Sequence, residues 1–273
     1  MSEKFERMNN IAPIRHQHPK GLCYINNKVI FLPIPKNAST SLRNMDDFES
    51  RKANIMSFRK EIAEQEYRAF AIIRDPLSRF ISGYVEVCKR ASQDSPHILT
   101  KSFYWMNGKN RFIKFLDEIE EGWFDAHLFP QQYFLCDFEG RPFMIDAYVD
   151  VKQLPTALPV LLGKWGVQLP KAVPKLNVGD ARPKGSTFKS RWHKVGSASH
   201  VRQGLYNVMD YAVRRLQRKP PPSSAEIQGY LREDDRLQSR VKELLADDMA
   251  FLEVLKRETA NDEFGIFWRR KEP

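Results

Sequence analysis

Cysteine is scarce in this sequence: Cys23, Cys88 and Cys136 are the only three among 273 residues. They are odd in number, far apart and outside any C-x-x-C spacing, which excludes a disulfide framework and a cysteine zinc site and leaves buried free thiols. No run approaches the roughly eighteen consecutive apolar residues that a membrane-spanning helix needs. The opening stretch MSEKFERMNN is charged and lacks the apolar core of a secretory signal, so a cytoplasmic protein is expected. No internal repeat is present, which argues against solenoids and propellers. Hydrophobic residues make up 42% of the chain, enough to exclude disorder as the default state.

Acidic residues are nearly missing from one segment. Between Ala181 and Pro222 ten Lys and Arg face a single acid, Asp210, so this segment carries most of the chain's formal net charge of +10. Such a balance implies an anionic partner without naming it. Phe188, Trp192 and Tyr206 among these cations could form stacking platforms for a nucleic acid, or the segment could be a solvated basic helix face.

VIFLPI (29–34) and AFAIIR (69–74) are short continuous apolar runs of the kind found in strands covered on both faces, and FMIDAYV (143–149) is a third. Helical periodicity lies between and after them. In DPLSRFISGYVEVCKR, Asp75 suits the N-cap and Pro76 the first helical position, while Leu77, Phe80, Ile81, Tyr84, Val85 and Cys88 repeat at helical spacing. RFIKFLDEIEEG, LPTALPVLLGKWG with Pro159 early in its helix, VRQGLYNVMDYAVRRLQRK and RVKELLADDMAFLEVLK read as further helices. Strands alternating with helices predict an α/β fold with a largely parallel sheet flanked by helices. The basic, aperiodic GDARPKGSTFKSRWHKVGSASH and the tract KPPPSS mark a loop-plus-helix insertion at about 178–224 within a single domain spanning 20–270, after a tail at 1–19.

Glycine is missing where a phosphate loop would need it. The first strand hands over to PKNASTSLR, in which the lysine comes first, whereas a nucleoside-triphosphate loop reads G-x-x-x-x-G-K-[ST]. Lys36, the N–H groups of Asn37, Ala38, Ser39, Thr40 and Ser41, and the three hydroxyls can still surround an anion at a helix start. Taken alone, the stretch also fits an ordinary strand-to-helix connection capped by Ser39 or Thr40. Arg74 ends the second strand and Ser82 lies on the helix after it, roughly 130° from the centre of its apolar face at about 100° per residue. A guanidinium and a hydroxyl so placed can grip one phosphate from two directions.

Strand-P-K-x-x-x-[ST]-[ST], followed 38 residues after Lys36 by strand-R-[DN]-P-x-x-R-x-x-S-x-Y, resembles the sulfotransferases that use 3'-phosphoadenosine 5'-phosphosulfate (PAPS), in particular their carbohydrate branch. DAHLFPQQYF is similar to a His-x-x-Pro-Gln segment of that branch, and AYVDVKQLPTAL to its short strand and following helix. The resemblance implies a P-loop-like α/β fold in which PKNASTS holds the 5'-phosphosulfate and RDPLSRFISGY the 3'-phosphate. It further implies a sulfuryl transfer to a hydroxyl of a saccharide, an anionic glycan included, or of a small molecule, leaving the product 3'-phosphoadenosine 5'-phosphate (PAP). KLNVGD, around Asn177, is only faintly similar to the family's later donor-binding loop.

Sulfuryl transfer places negative charge on the leaving oxygen, where Lys36 can act, and calls for a base near neutrality, the range of histidine. His16 and His18 lie in a polar N-terminal stretch, His97 in a loop, and His193 and His200 in the basic segment. His127, within the segment similar to the family, is the chosen base, with a structural histidine as its alternative. No metal is required, since cationic and N–H contacts can neutralise the donor. Two other functions compete. A P-loop kinase or ATPase could use Asp146, ending FMID, to hold magnesium, and a nucleic-acid binder could use the basic segment; nucleic acid is not the expected partner.

Overall fold

The computed structural model describes residues 22–25, 29–39, 42, 49–51, 67–91, 102–123, 125, 127–135, 145–167 and 220–269. Seven strands form one sheet in the order β3-β1-β2-β4-β5-β7-β6. They are β1 (Leu22–Ile25), β2 (Val29–Leu32), β3 (Glu49–Arg51), β4 (Arg68–Ile73), β5 (Ala147–Asp150), β6 (Thr259–Asn261) and β7 (Ile266–Arg269). The expected parallel arrangement holds for the centre, where β2, β4 and β5 run side by side. The flanks are antiparallel, which corrects the expectation of a largely parallel sheet. Chain length explains two of these four pairings: three residues join β1 to β2 and four join β6 to β7, enough for a hairpin but far too few for a parallel crossover. At the second hairpin Gly265 supplies a φ of 74°.

The central strands are buried on both faces, as their unbroken apolar runs require. Ile30, Leu32, Ala69, Ala71, Ile73 and Tyr148 face one way, onto α3 (Gln131–Leu135) and α7 (Ala246–Glu258). Val29, Phe31, Phe70, Ile72, Ala147 and Val149 face the other way, onto α4 (Leu154–Lys164). A separate aromatic-rich cluster joins α1 (Pro76–Ala91) and α2 (Gly108–Glu120) to α5 (Ser224–Glu233) and α6 (Asp235–Leu244). Each fully buried Phe or Leu there contributes about 1.5–3 kcal/mol.

Asp75 caps α1 as expected, its carboxylate accepting the Ser78 N–H at 2.8 Å, with Pro76 as the first helical residue. The third strand starts later than expected, at Ala147, because the Asp146 carboxylate takes the Ala69 N–H (2.8 Å) and an Arg68 nitrogen (3.1 Å). Pro159 stands six residues into α4, not early in it, and Pro155 occupies the first turn. The interior position costs one backbone hydrogen bond, which the buried face of Leu154, Leu158, Leu161 and Leu162 offsets. RVKELLADDMAFLEVLK is two helices: at Leu245 the N–H is shared between the Val241 and Lys242 carbonyls, the ladder tightens, and α7 begins afresh. The expected helix at 201–219 and the rest of the basic segment up to Lys219 lie outside the described residues.

Candidate active site

Because β2 and β4 are parallel neighbours with Leu32 opposite Ala71, their carboxyl ends open at one place. There the chain after β2 turns sharply. Asn37 N–H donates to the Ile34 carbonyl at 3.1 Å, with Pro35 and Lys36 (φ 69°) between them, the pattern of a type II turn. Glycine usually fills that third position. Ala38 follows at φ 57°, and among the described residues Lys36 and Ala38 are the two non-glycine residues in the left-handed region. The loop thus takes glycine conformations without glycine, at about 1–3 kcal/mol per residue. Helix begins at Ser39, and Leu42 N–H donates to the Ala38 carbonyl at 3.2 Å.

Side chains from elsewhere hold this shape. Arg74 donates to the Lys36 carbonyl at 3.0 Å, and the Arg79 Nε to the Pro35 carbonyl at 3.2 Å. A second Arg79 nitrogen donates to the Phe129 carbonyl. The Asn37 amide is fully buried and donates to the Ile72 carbonyl at 2.7 Å and to Gln131 Oε1 at 2.6 Å. Gln131 is the hub: its Oε1 also accepts the Arg74 N–H (2.8 Å), and its Nε2 donates to the Arg74 carbonyl (2.7 Å) and to Asp248 Oδ2 (3.3 Å). Asp248, 1% exposed in the first turn of α7, accepts the Gln131 N–H at 2.7 Å.

Burial raises the Asp248 carboxyl above its ordinary range despite the Arg79 charge and these hydrogen bonds. Burial likewise pushes the Arg79 guanidinium down to about 10, with the Asp248 charge opposing, so it stays cationic at neutral pH. Both ions are destabilised by the same desolvation, and neither is a cheap source of stability.

The predicted residues divide as follows. Lys36 and Arg74 come together through the carbonyl contact above. Asn37 spends its N–H and its amide within the protein, Ala38 is half-buried, and Ser39 is buried at the helix start. Thr40 and Ser41 lie outside the described residues, as do His16, His18, His97, His193 and His200. Ser82 is half-buried on α1, one residue before Gly83, where a Cβ would stand 2.6 Å from the His127 carbonyl. The absent side chain therefore lets the His127 segment lie directly across α1 beside Ser82.

His127 has a buried partner. Its Nδ1 is 2.6 Å from Asp125 Oδ1, which also accepts the His127 backbone N–H at 2.9 Å. Burial would push the Asp125 carboxyl up, but the His127 hydrogen bonds and the charges of His127 and Arg90 hold it below the ordinary aspartate value. An ionised acceptor requires Nδ1 to carry the proton, which leaves the Nε2 lone pair for a substrate. Lys36 Nζ lies 3.3 Å from Glu86 Oε2 on α1. Asp146, by contrast, sits before the start of β5, at the amino ends of the parallel strands, opposite to the carboxyl ends where Lys36 and Arg74 lie.

The sequence reading missed Arg79, Asp125, Gln131 and Asp248 as contributors. Arg79, Asp125 and Gln131 stand inside stretches already singled out, so the motifs themselves were the available signal. Asp248 lies 117 residues from Gln131 and carried none.

Two cationic residues and a helix start at the tips of adjacent strands, with a carboxylate-oriented histidine over the adjoining helix, suit transfer of an anionic group. The sulfotransferase family model matches residues 21–218, well over half of the chain. The chain belongs to the sulfotransferase family. No curated protein and no solved structure matches it. The family match ends before α5, so Asp248, which completes the buried polar network of this sulfotransferase, lies beyond it. No helix of the described residues is long and apolar enough to cross a membrane, and no cluster of metal-ligating residues occurs among them.

Proposed function

We propose that the protein transfers a sulfuryl group from PAPS to a hydroxyl of a saccharide or small-molecule acceptor. The observation that carries this is the 3.0 Å bond from Arg74 to the Lys36 carbonyl, which joins the two cationic motifs at the tips of adjacent parallel strands. The donor set has the chemistry of a doubly phosphorylated adenosine: Lys36 and Ser39 to Ser41 would hold the 5' end, and Arg74 and Ser82 the 3'-phosphate. When bound, PAPS supplies an activated sulfuryl group on a phosphate oxygen. Lys36 stabilises the negative charge that grows on that oxygen, and His127 Nε2 takes the acceptor's proton, with Asp125 steadying the imidazolium. Arg79 and Gln131 touch no reacting atom and position the loop.

One domain over 20–270 is part of the same proposal, supported by β6 and β7 completing the sheet that β2 and β4 begin. So is a cytoplasmic location, with which the buried free thiol of Cys88 agrees. The basic segment at 181–222 would recruit an anionic acceptor such as a sulfated or carboxylated glycan. A magnesium-dependent kinase gains nothing from Asp146, whose carboxylate is taken up by Arg68 and Ala69 far from the crevice.

Thermal denaturation with PAP, compared with ATP plus magnesium, tests the reading. PAP at a hundred times its dissociation constant stabilises the fold by about 2.7 kcal/mol. Stabilisation by ATP and magnesium but not by PAP refutes the proposal, as does a response to oligonucleotides alone. Lys36→Met is expected to lower turnover about 100-fold while the chain stays folded, since one charge-stabilising contact at a developing anion is worth about that much. Undiminished turnover in this variant removes Lys36 from the leaving oxygen.

A further inference from the structure

Lys36 and His127, the two groups assigned to opposite ends of the transfer, are joined by an unbroken run of ionic contacts across one face of α1. Lys36 Nζ is 3.3 Å from Glu86 Oε2; Glu86 Oε1 is 3.7 Å from Arg90 Nε, one helical turn on; Arg90 Nη1 is 3.7 Å from Asp125 Oδ2; and Asp125 Oδ1 meets His127 Nδ1 at 2.6 Å. Resting on the sulfuryl-transfer reading, we propose that Glu86 is a positioning residue of the reaction, holding Lys36 with one oxygen and, through Arg90, the Asp125–His127 pair with the other.

Stability does not account for the arrangement. Glu86 is 31% exposed and its partners Lys36 and Arg90 are 23% and 35% exposed, and half-exposed pairs of this kind add little to a fold. Their chemistry does account for it. An anion set against Lys36 competes with an incoming polyanion, so Glu86 weakens ground-state binding of the donor. It also prevents the ammonium from settling on whichever phosphate oxygen is nearest, leaving its full effect for the oxygen where charge develops. On its other side Glu86 shares Arg90 with Asp125. Without Glu86, Arg90 would pair wholly with Asp125 and draw that carboxylate's charge away from the imidazole it supports, which weakens the base.

The two effects have opposite signs, and a merely structural residue cannot produce both. In the full chain, Glu86→Gln keeps size and hydrogen bonding while removing the charge. It is expected to bind PAP about two- to five-fold more tightly by calorimetry. The same variant is expected to release PAP from PAPS about tenfold more slowly, with water or 4-nitrophenol as acceptor. Its melting temperature should match that of the wild type. Unchanged or weaker PAP binding overturns the proposal, and so does tighter binding with unchanged PAP release. A parallel loss of binding, rate and melting temperature shows a structural role and overturns it too. Wild-type protein that fails to bind PAP, or that binds it without ever releasing PAP from PAPS, sinks the sulfuryl-transfer reading itself and the role of Glu86 with it.

Discussion

Replacing His127 with alanine is expected to lower turnover about 10²- to 10⁴-fold, the usual contribution of a positioned general base, while PAP affinity changes by no more than about twofold. The split follows from the geometry. The imidazole donates from Nδ1 to a buried carboxylate and so presents Nε2 as an acceptor, yet it forms no part of the turn between Pro35 and Asn37 or of the Arg74 contact that would hold the nucleotide. Asp125→Asn should cost turnover comparably, because a carboxamide can turn its NH2 toward the ring and shift the ring proton to Nε2, the wrong nitrogen. The pH dependence has a defined sign. The Asp125 carboxyl is held below its ordinary value, so its support is complete above the unfolded aspartate pKa of about 3.9 and is lost only as pH falls through the lower folded value. Steady-state rates beside PAP titration check all of this, and a His127→Ala variant that turns over normally excludes the base.

Removing the Asp248 carboxylate should do the most damage to the fold. Asp248→Ala is expected to destabilise the protein by about 1–3 kcal/mol for each buried donor left without its acceptor. Gln131 loses the acceptor of its N–H and one of the two acceptors of its Nε2, and Arg79, 2% exposed and still charged at neutral pH, loses the nearby anion that opposes its desolvation. Through Arg79 and Gln131 the loss reaches Pro35, Asn37 and Arg74, so PAP affinity should fall along with the urea midpoint. An unfolding free energy unchanged from wild type would mean that the network relaxes around the gap, against the expectation for buried donors left without acceptors.

How much of this was legible beforehand follows from what kind of information each feature uses. β2, β4 and α1 are long or strongly patterned, and Asp75-Pro76 is a local capping signal, so periodicity and caps placed them within a residue or two. The three- and four-residue strands β1, β3, β6 and β7 exist because a neighbour pairs with them; ESR or TAN has no apolar period to read. The meeting of Lys36 with Arg74 could be foreseen because two strand-end motifs need only one parallel pairing to bring them together. The work of Gln131 could not, since this glutamine acquires its role only from Asn37, Arg74 and Asp248 on three other segments. Glu86 and Arg90 stand one helical turn apart, and nothing in α1 alone shows that each also has a partner off the helix.

The turn between Ile34 and Asn37 has a further consequence. Loops rich in glycine are pliable when empty and firm up around the phosphate they capture, so part of the binding energy goes into ordering them. Here Lys36 and Ala38 sit in costly backbone conformations kept in place by Arg74, Arg79 and Asn37, so the anion would find its cradle already cast. Substituting glycine for Ala38, which leaves the Lys36 ammonium in place, would ease the backbone yet hand that ordering cost back to the ligand, softening recognition in a protein made no less stable by the change.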